Sequence, residues 1–316
     1  METFALGRYA VSLGVAAALL GGCGGSQSSL GALDSRPESY AIAAQPRQTR
    51  TWMLPEAKGE NLLYVTDSAI DVFSYPSGTP VGSIADPFAH SVCSDQRGNI
   101  FVVDPSYARV TEYSHGALIP IAILRVNSEP VYCAVDPNTN SLAVTTGGTK
   151  SFSTVAIFTN EKGHPKYYNY DKYGGFLEQC SFDNHSNLLM RAEGGQHGLA
   201  ELPKGAQAVE SITLKGTYKG TELSAVQWDG KYLTIADEGY DLETIDRLVV
   251  KGATAKIVGQ TILKQAATAQ TAFYRGNVIA GAYANTGVWK YPSGGSPIKT
   301  IYGTSGGLAL SLAAEK

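Results

Sequence analysis

Short apolar runs recur along this chain, separated by turns rich in Asp, Asn and Gly. Residues 91–94 form one run, which continues after the turn Asp-Gln-Arg-Gly-Asn into a second run at residues 100–103. Residues 132–135 and 142–145 repeat this arrangement around another turn that begins with Asp. Runs this short, bounded by turn residues, are typical of β-strands, because amphipathic helices need longer segments with a period of about 3.6. The pattern therefore predicts an all-β chain of short strands.

The strand–turn–strand unit occurs five times at a regular interval. Its turn begins at Asp95, Asp136, Asp183, Asp229 and Arg275, which gives spacings of 41, 47, 46 and 46 residues. A second unit, a strand that ends in a turn and precedes a fourth strand, occurs six times, at residues 72–78, 110–116, 155–163, 199–205, 247–252 and 288–294. Four short strands in ~40–50 residues is the length of a propeller blade. The repeat predicts a six-bladed β-propeller of four-stranded antiparallel blades.

The two ends of the repeat complement each other. The first copy begins with Leu62–Val65, which is already a second strand, so its opening strand is missing. The sixth copy is followed by Gly306–Leu312, which has the character of an opening strand with no second strand after it. Since closing the ring covers the free blade faces and edges, we expect Gly306–Leu312 to pair with Leu62–Asp67 as the innermost strand of blade one.

One copy carries a family resemblance. The stretch Asp104–Val110 resembles the NHL repeat, in which an Asp turn precedes a charged and apolar strand that ends in an aromatic residue, and residues 67–75 match it more loosely. The resemblance is one of architecture and covers residues ~60–312. It implies a six-bladed propeller, a fold that serves both binding scaffolds and several enzyme families, so it does not select a function.

The N-terminus has the pattern of a bacterial lipoprotein signal. Arg8 precedes an apolar run from Tyr9 to Leu20, and the run ends in Leu-Gly-Gly-Cys at Cys23. This resembles the lipobox, in which a Cys after small residues receives a diacylglycerol and becomes the new N-terminus; an ordinary secretory signal is the alternative. We expect a signal peptide over residues 1–22, a lipidated Cys23 with a tether over residues 23–58, and the propeller over residues 59–316, exported and anchored to a membrane of the cell envelope. The apolar stretch at residues 52–55 is expected to dock on the domain.

Charge and motifs exclude several classes of function. The formal net charge is −3 and no basic run occurs, so nucleic acid is not an expected partner. The chain has no CxxC, HxxxH or HExxH. Gly-x-Ser-x-Gly occurs once, at residues 303–307, but a propeller is not an α/β-hydrolase, the fold in which that motif presents a nucleophile. Three Trp are too few for the stacked ladder of quinone-dependent oxidoreductases. We therefore predict no catalytic residue and no zinc site.

A calcium site is the main alternative. Six-bladed lactonases, which this chain resembles in fold, hold Ca²⁺ in the central channel with oxygen ligands from different blades. The openings of the inner strands here offer His90, Glu129, Glu178, Glu222 and Gln270. This set contains no Asn at the equivalent position of a blade and no Asp that would clearly act as a general base. A Ca²⁺-dependent hydrolase or lactonase is thus the alternative to a non-enzymatic binding or scaffold propeller without a cofactor.

A binding surface is expected on one face of the ring. The turns between second and third strands and the links between blades share that face and are rich in Tyr, acidic and amide groups, which recognise glycans, peptides or small molecules. Loop composition that serves only solubility is the competing interpretation. The candidate binding residues are Asp67, His90, Asp104, Tyr107, Glu178, His197, Asp237, Tyr240 and Tyr283. We expect a monomer.

Three cysteines lie on the predicted innermost strands of consecutive blades. Cys133 and Cys180 each precede the turn Asp by three residues, whereas Cys93 precedes its Asp by two. Side chains alternate along a strand, so Cys133 and Cys180 cannot face each other, whereas Cys93 and Cys133 face each other for one winding of the ring. Packed sheets lie about 10 Å apart, wider than a disulfide spans. We therefore favour three buried thiols over a Cys93–Cys133 bridge, with Cys180 free in either case.

Overall fold

The structure, a computed structural model, describes residues 50–147, 153–170, 175–192, 198–215, 223–237, 242–266, 270–282, 285–303 and 306–314. These residues form short antiparallel strands and three 3₁₀ turns, at Pro55–Gly59, Pro105–Tyr107 and Thr159–Glu161. Within this part of the chain, no helix has the length and apolar character needed to span a membrane.

The strands group into six blades, each ordered from the channel outward in sequence. Blade one contains β2 (Asn61–Thr66), β3 (Ile70–Tyr75) and β4 (Pro80–Ile84), with β1 (Trp52–Met53) on its outer edge. Blade two contains β5 (Ser91–Ser94), β6 (Ile100–Asp104), β7 (Arg109–Tyr113) and β8 (Pro120–Arg125). Blade three contains β9 (Glu129–Val135), β10 (Leu142–Gly147), β11 (Ser153–Phe158) and β12 (Lys166–Tyr170).

The second half of the ring repeats this order. Blade four contains β13 (Leu177–Phe182), β14 (Leu188–Ala192), β15 (Leu199–Leu202) and β16 (Glu210–Lys215). Blade five contains β17 (Leu223–Trp228), β18 (Leu233–Asp237), β19 (Leu242–Lys251) and β20 (Thr254–Lys264). Blade six contains β21 (Thr271–Tyr274), β22 (Asn277–Ala282), β23 (Asn285–Lys290) and β24 (Lys299–Tyr302). The predicted six-bladed propeller is confirmed.

The C-terminal strand closes the ring as predicted. β25 (Leu308–Ser311) pairs antiparallel with β2, with Leu62 opposite Ser311 and Val65 opposite Leu308. The backbone N–H of Thr66 adds a hydrogen bond to the carbonyl of Gly307, at 2.8 Å. Blade one therefore takes its innermost strand from the end of the chain and its other strands from the beginning of the domain.

The hydrophobic core lies between the blades. Six clusters of buried side chains occur, one at each interface between neighbouring blades, including the interface between blades six and one. Alternation along the strands supplies them: on β2, Leu62 packs toward blade two and Leu63 toward blade six. Each blade thus buries both faces against its neighbours, which a single blade cannot do.

Two contacts at the outer rim were not predicted. The outermost strand of blade five, β20, is long enough to pair in parallel with β16 of blade four, with Thr213 opposite Thr254. Its other end exchanges backbone hydrogen bonds with Gly295 of blade six, at 2.8 and 2.9 Å. A third contact at the rim was predicted. The Trp52–Met53 strand pairs with β4 of blade one, so the stretch at residues 52–55 docks on the domain as expected.

Candidate functional site

The two faces of the ring carry different turns. Because strands alternate in direction within a blade, the turns between strands two and three lie on the same side as the links between blades. We call this side the upper face. The turns between strands one and two, and between strands three and four, form the lower face.

The Asp residues that mark the repeat stabilise the lower turns. Asp95 accepts backbone hydrogen bonds from Arg97 and Asn99, at 2.9 and 2.7 Å. Asp183 accepts the equivalent bonds from His185 and Asn187, each at 2.8 Å. A carboxylate that caps two backbone N–H groups fixes a turn which lacks a strand partner. Their recurrence in the sequence therefore reflects folding rather than a repeated binding site.

The innermost strands surround a central cavity of about 330 Å³, lined from every blade. Polar side chains cover strand edges that would otherwise be unpaired. Gln179 of blade four accepts a hydrogen bond from the backbone N–H of Val226 at 2.9 Å, and the Ser94 hydroxyl donates to the carbonyl of Leu310 at 2.8 Å. These contacts join neighbouring blades at the axis of the ring, where the backbone groups have no ladder partner.

A disulfide joins blades two and three at this cavity, and our preference for three free thiols is wrong. Cys93 and Cys133 are bonded, with their Cα atoms 5.7 Å apart. The reason is geometric: blades converge toward the axis, so innermost strands approach more closely than packed sheets do elsewhere. Cys180 is buried and free, as predicted, and burial raises the pKa of its thiol to about 12.

The described residues that line the cavity offer few ligands for a calcium ion. Asp95 is the one charged residue among them, and its carboxylate is bonded to Arg97 and Asn99. Of the predicted ligands, Gln270 accepts a hydrogen bond from the backbone N–H of Leu308 at 3.0 Å, and Glu222 lies outside the described residues. Among the residues that the structure does describe, no three His, Cys, Asp or Glu side chains are grouped so as to hold a metal ion.

A row of aromatic rings crosses the upper face from blade two to blade three. Phe88 and Tyr107 meet edge to face with ring centroids 5.3 Å apart, and both are exposed, by 45% and 52%. The guanidinium of Arg109 lies over the Tyr107 ring at 4.8 Å. Further along, the rings of His90 and Tyr132 meet at 5.4 Å. Burial lowers the pKa of His90, and the charge of Glu129 opposes this effect.

A charged pair lies beyond the aromatic row, on blade four. Glu178 and Arg191 form a salt bridge at 2.6 Å, and both side chains are largely buried. Burial raises the pKa of the neighbouring Tyr132, and the charge of Glu178 adds to the effect. We call the whole surface the upper ledge; it comprises Phe88, His90, Tyr107, Arg109, Tyr132, Glu178 and Arg191.

The predicted binding residues are only partly brought together. His90, Tyr107 and Glu178 lie on the upper ledge, and Tyr107 is on an exposed turn as expected. Asp104 is fully buried: its carboxylate caps the backbone N–H of Tyr107 and pairs with Arg109 at 3.1 Å, so it supports the ledge from below. Asp67 is in the turn between β2 and β3, in blade one.

The other predicted residues cannot be placed on the ledge. His197, Tyr240 and Tyr283 lie outside the described residues, and Asp237 is described only as the last residue of β18.

Four ledge residues are not in the predicted candidate set: Phe88, Arg109, Tyr132 and Arg191. The sequence contained an indication for Arg191. If residues of the two strands are paired outward from the Asp183 turn, Arg191 falls near Glu178 on the facing strand. A bulge in this hairpin shifts the register by one residue, which such counting cannot foresee.

Comparison with known proteins identifies the fold and no family. No family model matches the chain, and no curated protein matches it. A chain of a nidogen/laminin complex superposes with a TM-score of 0.61 at 13% identity, over 81% of this chain and 99% of that one. A protein of unknown function from Bacteroides caccae gives 0.58 at 13%, over 80% and 99%. A functionally unknown protein from Desulfotomaculum acetoxidans gives 0.54 at 10%, over 81% and 100%. The chain is a β-propeller. At such identities the likeness shows fold alone.

Proposed function

We propose that this propeller is an exported, lipid-anchored binding or scaffold protein without enzymatic activity, which holds its ligand on the upper ledge. The observation that carries the proposal is the exposed aromatic pair Phe88 and Tyr107 beside Arg109. Large apolar side chains left open to water next to a cation are a feature of recognition surfaces, because desolvation on binding offsets their exposure.

The chemistry of the ledge favours a ligand with a flat apolar face and polar edges. Phe88 and Tyr107 offer apolar contact, while Arg109, His90 and the Tyr132 hydroxyl offer hydrogen bonds within the same row. Sugar rings have this character, so a glycan is the first ligand class to test, followed by peptides and small amphipathic molecules. The NHL-like segment Asp104–Val110 supports a binding role for the ledge, because the Asp104 carboxylate fixes the turn that presents Tyr107.

Export and anchoring rest on the N-terminal sequence. The apolar run before Leu-Gly-Gly-Cys supports lipidation of Cys23. The disulfide between Cys93 and Cys133 is consistent with an oxidising compartment outside the cytoplasm. The Ca²⁺-dependent hydrolase remains the alternative prediction, although the lining residues that the structure describes do not by themselves supply its ligand set.

The ledge is tested by a glycan and small-molecule binding screen on the full chain purified in mild detergent. Phe88→Ala combined with Tyr107→Ala should weaken binding of any hit by tenfold or more, on the order of 1–3 kcal/mol, while thermal stability changes little. The matched control is Ile298→Ala, since Ile298 is 53% exposed and lies in the turn between β23 and β24 on the lower face. Equal loss in both variants, or hits that the double variant binds normally, would place the site elsewhere.

The anchor is tested by fractionation. Cys23→Ser should move the protein from the membrane fraction to the soluble fraction, and the wild type should carry acyl mass on its N-terminal Cys. A variant that stays with the membrane, together with a wild type that lacks acyl mass, contradicts the proposal.

A further inference from the structure

A second concave surface lies on the lower face, between blades two and three. It encloses about 390 Å³ and is independent of the upper ledge on the opposite face. One wall is apolar and consists of Ile121, Ala122 and Leu124 on the outer strand of blade two. The other lining residues are polar or charged, except for Gly163, and come from the first turn and third strand of blade two and the third turn of blade three: Arg97, Asn99, Glu112, Glu161, Lys162 and Gly163. We call this surface the blade 2–3 cleft.

Two carboxylates bond one guanidinium here. Arg97 pairs with Asp95 at 2.8 Å and also hydrogen-bonds Glu161 through the same nitrogen. Asp95 is fully bonded, since it also caps the backbone of its own turn. Glu112 lines the same cleft, where the charge of Asp95 raises its pKa and the charges of Arg97 and Lys162 oppose that effect. Arg97 thus already bonds two carboxylates, and neither it nor Lys162 forms an ion pair with Glu112 among the described residues.

Two carboxylates in the cleft have oxygen atoms that no described residue bonds. Glu112 is 8% exposed, and its carboxylate makes no hydrogen bond or ion pair with any residue that the structure describes. Glu161 is 3% exposed, and its Oε1 atom is buried without a hydrogen-bond partner. Burial raises the pKa of both groups, and the negative charge of Asp95 adds to the effect. A buried carboxylate without hydrogen-bond donors lowers the stability of the fold. A bound ligand that donates hydrogen bonds would offset this cost, which gives a physical reason for the presence of such a carboxylate in the cleft.

The backbone holds one of these acceptors in an uncommon conformation. Asn160 and Glu161 both have positive φ, 50° and 56°, in the 3₁₀ turn that follows β11. Non-glycine residues in this region store strain, which persists when the surrounding structure holds them. The bond from Arg97 holds the Glu161 carboxylate in the cleft and is one of the contacts that maintain this conformation.

The missing partner must supply positive charge and several donors. A metal ion fits poorly, because the described residues contain no cluster of three acidic, His or Cys side chains able to ligate one, and Arg97 already occupies the acidic centre. An alkylammonium group fits better: it has three N–H donors that can bond the Glu112 carboxylate, and its aliphatic stem can lie on apolar surface. The wall formed by Ile121 and Leu124 supplies that surface beside the carboxylates.

We propose that the blade 2–3 cleft is a binding site for a primary alkylammonium group, whose nitrogen bonds the Glu112 carboxylate while its stem packs on Ile121 and Leu124. A free diamine and a lysine side chain of a peptide share this chemistry. The site does not depend on the function of the upper ledge.

The experiment is calorimetric titration of the full chain in mild detergent with two probes, 1,5-diaminopentane and the peptide acetyl-Gly-Lys-Gly-amide. The wild type should bind at least one probe, and Glu112→Gln should weaken that binding about tenfold or more, because a charge-assisted hydrogen bond is lost. The matched control is Glu201→Gln. Glu201 occupies the repeat position of Glu112 on blade four, since each pairs with the residue six places after its turn Asp, and burial raises its pKa as well.

Each outcome decides the matter. Binding that Glu112→Gln weakens and Glu201→Gln leaves unchanged supports the site; preference for the diamine then indicates a free amine as the source, and preference for the peptide indicates a lysine side chain. No binding of either probe by the wild type overturns the proposal, as does equal binding by the two variants. Displacement of the probe by equimolar Ca²⁺ also overturns it in favour of a metal site. Circular dichroism on each variant confirms that the fold is intact.

Discussion

Removal of the C-terminal strand should open the propeller. Deleting residues 304–316 takes away β25, in which Leu308 and Ala309 are buried and Ser311 is fully enclosed. The strand pairs with β2, and it is bonded to both neighbouring blades, through Gln270 of blade six and Ser94 of blade two. β25 therefore takes part in two blade interfaces and also joins the two ends of the domain.

The magnitude follows from these contacts. Burial of a leucine side chain contributes about 1.5–3 kcal/mol, and each hydrogen bond contributes about 1 kcal/mol net. Leu308, the half-buried Leu310 and the ladder and cross-blade bonds together reach about 8 kcal/mol, which the regained entropy of the freed residues offsets in part. The net loss is several kcal/mol out of a total of about 5–15 kcal/mol for a domain.

Urea unfolding followed by Trp fluorescence and circular dichroism measures this loss. Leu308→Ala should give an intermediate loss of about 2–4 kcal/mol. Deletion of residues 313–316 is the control, because it removes one described hydrogen bond, from the N–H of Ala313 to Asn61, and should cost about 1 kcal/mol. A synthetic peptide of residues 304–316 should restore part of the stability in trans. If the longer deletion unfolds at the wild-type urea concentration, closure through β25 does not stabilise the ring and this reasoning is refuted.

Three further predictions concern single positions. Cys93→Ser should lower the free energy of unfolding by about 3–4 kcal/mol, because the bridge to Cys133 closes a loop with a sequence separation of 40. A wild-type urea midpoint that is the same with and without reductant would contradict this prediction. Asp183→Ala should cost about 1–3 kcal/mol, because its turn loses two backbone caps, and unchanged thermal unfolding would argue against the capping role. Glu112→Gln should raise stability at pH 7 by about 1 kcal/mol. Its folded-state pKa is raised by burial, so wild-type stability should fall as pH rises from the ordinary value of 4.5 through the folded pKa. Urea unfolding at several pH values should show that Glu112→Gln lacks this decrease in the free energy of unfolding. An equal decrease in the variant and the wild type would contradict the prediction.

The sequence was sufficient for the architecture because the repeat is local. Each blade is a run of short strands whose order in space follows their order in the chain, and Asp95, Asp136 and Asp183 mark equivalent turns that fix its phase. Once the phase is known, the missing first strand and the spare strand at residues 306–312 leave one way to close the ring. The architecture of a propeller can therefore be predicted from the periodicity of its sequence, because each repeat contacts only its neighbours.

Contacts between blades depend on distances that periodicity does not contain. The Cys93–Cys133 bridge required knowing how closely innermost strands approach at the axis, and the pairing of β16 with β20 required the length and path of an outer strand. The candidate sites are of the same kind. Phe88 contacts Tyr107 across a loop and a turn, and Glu112 and Glu161 line one cleft from two different blades, so neither pair is close in sequence. Alternation along a strand tells which side a residue faces; only the packing of one twisted blade on the next decides what it meets there.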